Sequence, residues 1–71
     1  MKREDIRYFE KIISIQTPEK EENQTVDNYN GICSLYEAVR HLASKSLKKE
    51  IESKNAKNSI EIILKRIEEL K

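Results

Sequence analysis

Between Arg3 and Gln16, Ile6, Phe9 and Ile13 form one stripe at helical spacing, with Tyr8, Ile12 and Ile15 forming a second beside it. That pattern predicts a helix with a broad apolar face. The segment opens on charged residues and does not alternate, so a strand fits it poorly. This helix should stop at Thr17, because Pro18 disfavours helical geometry in the residue before it. Thr17 to Glu21 then reads as a fresh start, with a Thr cap, Pro at the first helical position and acids in the first turn. Residues 22–31 are polar and close on Asn30-Gly31, a turn signal, so a short helical turn or an ordered loop is expected there.

The helical period returns from Ile32 through Leu35, Tyr36, Val39, Leu42, Ala43 and Leu47, with Ile51 one turn further. This central helix should begin near Gly31, or at Ser34, which has capping-box spacing to Glu37. After Ile51 only Ala56 is available to a core before Ile60, so either one long exposed helix or a turn crosses that stretch. Asn58 followed by Glu61 repeats the capping-box spacing and favours a break. Ile60, Ile63, Ile67 and Leu70 then keep a three-four rhythm, widened by Ile62 and Leu64. Two heptads are too short a run to define a coiled coil.

These elements predict an all-α fold. Residues 1–71 should form a single helical domain, a small bundle of three or four helices. The central and C-terminal helices would make a helical hairpin with the N-terminal helix packed across it. No internal repeat and no low-complexity segment is visible.

Length and composition add a need for a partner. In 71 residues, 37% are apolar and 38% charged. Chains of this size seldom gain more than about 3–5 kcal/mol from a core alone. A homodimer is therefore expected, with two hairpins forming a four-helix or larger bundle. Its seam would be Ile60, Ile63, Ile67 and Leu70, with Tyr29 and Tyr36 as aromatic anchors toward a copy or another protein. Ile62 lies off the main stripe, which leaves it partly exposed in a monomer and favours the interface.

Cys33 is the single cysteine, so disulfide staples are excluded and a reducing, cytoplasmic setting is expected. No apolar run approaches the roughly 20 residues that span a bilayer, and no basic start leads into an apolar stretch as in a signal peptide. Ile, Lys, Glu and Asn supply about half of the chain, a usage that points to an AT-rich genome such as that of a low-GC bacterium or its phage.

The net charge is +1, yet the charges are segregated. Residues 19–37 carry Glu19, Glu21, Glu22, Asp27 and Glu37 against Lys20 alone. Residues 38–57 carry Arg40, Lys45, Lys48, Lys49, Lys54 and Lys57 against Glu50 and Glu52. Arg40, His41, Lys45, Lys48 and Lys49 form a candidate patch for nucleic acid or an acidic partner. The near-neutral total and the interrupting glutamates weigh against the nucleic-acid version.

Cys33, Glu37 and His41 follow one another at steps of four, which brings a nucleophile, an acid and a base toward one helix face. Eight helical residues rise about 12 Å, well beyond hydrogen-bond reach, so the spacing defeats a Cys-His mechanism within one chain. One Cys and one His also supply only half of a zinc tetrahedron. Neither catalysis nor a cofactor is expected. The leading expectation is a small non-enzymatic adaptor, inhibitor or regulator, encoded by a bacterium, phage or mobile element, that binds another protein through an apolar helix face. The alternative is a small nucleic-acid-binding regulator using the basic central helix.

Overall fold

The computed structural model describes all 71 residues and contains three helices and no strand. They are α1 (Arg3–Ile13), α2 (Val26–Leu47) and α3 (Ser53–Leu70). Both α1 and α3 pack on α2, and the bundle is elongated, 41 × 18 × 17 Å. Phe9, Ile12, Val39, Ala43, Ala56 and Ile60 make the larger core, where all three helices meet. Ile32, Tyr36 and Ile67 make a second, beyond the reach of α1. Ile15 and the pair Ile63 and Leu64 border both cores and join them.

The two ends of α1 are fixed by local chemistry. Asp5 pairs with Lys57 and so ties α1 to α3. Lys57 also lies 5.4 Å from the centre of the Tyr8 ring, and Tyr8 meets Phe9 edge to face at 5.4 Å. Asp5 holds the Lys57 ammonium above its ordinary pKa. Because Lys57 is partly exposed, the pair orients the helices more than it stabilises them. At the other end Ser14 closes the helix, its hydroxyl donating to the Glu10 carbonyl at 2.9 Å. Helix α1 therefore ends three residues before Gln16, and Ile15 turns inward as part of a non-helical segment.

No helix follows Thr17-Pro18, and the bundle has three helices, not four. The start signals there are sound, but residues 19–24 hold no apolar side chain to bury. An isolated short helix is marginal without such a face. The segment instead runs as a strap along the bundle, with Gln24 Oε1 accepting from the Glu21 backbone N–H at 2.8 Å.

Helix α2 starts at Val26, five residues before Gly31, with the Thr25 hydroxyl accepting from the Asn28 N–H at 3.1 Å. This cap and the burial of Ile32 outweigh the Asn30-Gly31 turn signal, whose cost inside a helix is only about 1 kcal/mol. The hairpin break comes at residues 48–52 and not at Asn58. There Glu50 N–H bonds to Lys45 O and Lys49 N–H to Ser46 O, both at 3.0 Å, a Schellman closure. Lys49 takes the left-handed position, φ 63°, which glycine occupies at far lower cost. Lys49→Gly is expected to raise stability by about 0.5–1 kcal/mol, read as a higher thermal midpoint; a lower midpoint would mean that the lysine side chain holds the turn.

Candidate functional site: a groove at the acidic end of the bundle

Because α1 stops beside the middle of α2, the first turns of α2 are covered by the strap instead of by a helix. Two contacts hold the strap there. The Tyr29 hydroxyl donates to the Pro18 carbonyl at 2.9 Å. Arg40 Nη1 donates to the Ile15 carbonyl at 2.9 Å, and both of its terminal nitrogens reach Thr17 Oγ1 at 3.3 Å. On the other side the Asn28 side-chain amide donates to the Leu70 carbonyl at 3.1 Å and fixes the end of α3 against α2.

Between the strap and the end of α3 lies a groove of about 590 Å³. Ile32, Tyr29 and Leu70 supply its apolar surface, Glu19 and Glu21 stand on the strap side, and Lys71 lies opposite. Neither glutamate is in an ion pair, whereas Lys71 pairs with Glu68 at 3.4 Å. The Tyr36 hydroxyl, with Glu68 adding, holds the Lys71 ammonium above its ordinary pKa. The Cys33 thiol, together with burial and Glu19, keeps the Tyr29 phenol above its own. The groove is therefore of mixed character, with Tyr29, Ile32 and Leu70 among mostly polar residues, Glu19 and Glu21 outside any ion pair, and Lys71 in its lining.

The residues singled out by sequence divide three ways. Ile60 and Ile67 are 0% and 1% exposed and sit in the two cores of the single chain. Tyr36 is likewise interior, at 7%, so none of the three can anchor a partner while the fold stays closed. Ile63 and Leu70 remain partly exposed, and Tyr29 and Leu70 come together in the groove. The physical reason is geometric, since the three-four stripe of α3 faces the matching stripe of α2 and closes the hairpin with it.

In the basic set, His41, Lys48 and Lys49 are exposed and Lys45 partly so, all near the C-terminal end of α2. None is in an ion pair. Arg40 differs: its guanidinium is bound to the strap and is not part of an open patch. Cys33 and His41 lie two turns apart along α2, and no group of three or more His, Cys, Asp or Glu comes together as a metal site. No helix is long and apolar enough to cross a membrane.

The groove was not legible as a site in the sequence. Its components Glu19, Glu21 and Ile32 belong to separate patterns, an acid run and a helix stripe. The available signal was the absence of apolar residues in 19–24, which marks a segment that cannot pack as a helix and must lie across something else. No model of a known protein family, no curated protein and no solved structure matches the chain.

Proposed function

We propose that this chain is a small non-enzymatic protein-binding module, an adaptor, inhibitor or regulator that acts in the cytoplasm as a homodimer. The observation that carries the reading is the groove at the end of the bundle. It sets Tyr29 and Leu70 beside unpaired Glu19 and Glu21, and the strap along it is held by bonds from Arg40 and Tyr29. Such a cleft suits a polypeptide segment presenting one apolar side chain beside a lysine or arginine. Burial of the apolar group supplies affinity, and the glutamates supply orientation and association rate.

A second reading has one observation in its favour. His41, Lys45, Lys48 and Lys49 are without carboxylate partners at the opposite end of α2, which suits a phosphate backbone. Loss of Arg40 to the strap and the nearby Glu50 and Glu52 make this patch the weaker candidate. Affinity capture by the tagged protein, with and without nuclease, separates the two. A stoichiometric protein that survives nuclease supports the first reading. Recovery of nucleic acid, with bound proteins lost on digestion, would replace it with the second.

A further inference from the structure

One face of the α2–α3 hairpin has no covering element. The bonds from Tyr29 and Arg40 set one flank of α2 against the segment that follows α1, and the bond from Asn28 sets the opposite flank against α3. Continuing round the helix past α3, steps of seven and three or four residues bring Gly31, Leu35, Ala38 and Leu42 into one row. Leu35 and Leu42 pack against the second and first core respectively while staying partly exposed, as Ala38 does, and Ile63 of α3 borders both cores and is partly exposed as well. At the edge of this face Ile62 is 70% exposed. Gly31 is exposed, and a Cβ placed there would meet nothing within 4 Å.

The row carries a charge at each end. Asp27 and Lys45 are 18 residues apart, about five turns of 3.6 residues, so they share one azimuth at a separation of about 27 Å. Neither is in an ion pair. Their midpoint is residue 36. Under a two-fold axis through that point, a second α2 running antiparallel sets Asp27 against the partner's Lys45, and Lys45 against the partner's Asp27. The same operation sets Leu42 near the partner's Gly31 and Leu35 near the partner's Ala38, so each large residue meets a small one. A single row thus complements itself in both charge and shape, the requirement of an isologous interface.

We infer that the occupant of this face is a second copy of the chain, docked antiparallel along α2 with Asp27 and Lys45 paired across the axis at both ends. The inference specifies the homodimer within the function proposed above and is independent of what the groove binds. The arrangement places the acidic end of each copy beside the basic end of the other, which accounts for a charge segregation that the fold of one chain leaves unmatched. The paired helices would form a four-helix centre with α1 on the outside.

Sedimentation equilibrium of the full chain over a wide concentration range tests it, with circular dichroism melts as the control for folding. The wild type should dimerise, and the dimer should weaken at an ionic strength of about 1 M, where the Debye length falls to about 3 Å. Asp27→Lys and Lys45→Glu should each weaken the dimer about tenfold, and the double variant should recover it. Gly31→Gln should abolish the dimer while leaving a folded helical monomer, since it adds bulk where the single chain has open space and improves helix propensity; its melting temperature should equal that of the wild type diluted to monomer and should no longer rise with concentration. A wild type that stays monomeric would overturn both the homodimer and this face. A dimer indifferent to Gly31→Gln and to both charge inversions would overturn the face alone.

Discussion

Aspartate in place of Ile60 is expected to leave the chain unfolded at room temperature. Ile60 is fully buried among Phe9, Val39, Ala43 and Ala56, at the point where all three helices meet. Truncating such a side chain to alanine costs about 2–5 kcal/mol. A carboxylate there adds the cost of a charge with neither partner nor water, so the total exceeds the roughly 3–5 kcal/mol that a core of this size provides. Ile67→Asp should behave in the same way, since Ile67 closes the second core with Ile32 and Tyr36. Ile62→Asp on the same helix should change the folding free energy by no more than about 0.5 kcal/mol, because that side chain is already in water. Circular dichroism of the three variants decides the matter. A folded, monomeric Ile60→Asp would return that residue to an interface between copies.

Arg40→Ala is the second large effect, and it links the fold to the groove. The guanidinium makes three bonds to the strap, one to a backbone carbonyl and two to the Thr17 hydroxyl. Hydrogen bonds from charged donors are worth about 1.5–3 kcal/mol in total at such sites, and removing the donor leaves the Ile15 carbonyl partly buried without this partner. The expected outcome is a fall in thermal midpoint on the order of 10 °C for a domain of this size. Faster amide hydrogen exchange in residues 18–25 should accompany it. Arg40→Lys should recover only part of the loss, because an ammonium cannot serve both acceptors as a planar fork does. An Arg40→Ala protein with wild-type melting and exchange would show that the strap is held by other contacts.

The stripes of α1, α2 and α3 were readable because burial imposes a 3.6-residue period on each of them. Phe9, Ile12, Val39, Ala43, Ile60 and Ile67 all belong to stripes seen in the sequence and all lie in the cores. What periodicity could not decide was which stripe faces inside and which faces a partner. Ile60 and Ile63 read alike, yet one is sealed and the other partly exposed, because that difference depends on where α2 crosses. Boundaries failed where two local signals competed. Thr17-Pro18 carries the signature of a helix start without an apolar face to sustain it, and Thr25 caps a helix that runs through the turn signal Asn30-Gly31. The role of Arg40 was hidden for a different reason. Its acceptors are 25 and 23 residues away in the chain, and a charge on an exposed-looking helix gives no sign of a long-range backbone partner.

We propose the groove beside the strap as the surface this protein offers to another. Affinity capture from lysate of the source cells, run with the wild type beside the Glu19→Lys/Glu21→Lys double variant, tests it most directly. Both glutamates are exposed and outside every ion pair, so the variant should fold and melt as the wild type does. A nuclease-resistant protein partner should be held by the wild type and lost from the variant. The same partner retained in full by a folded variant would contradict it.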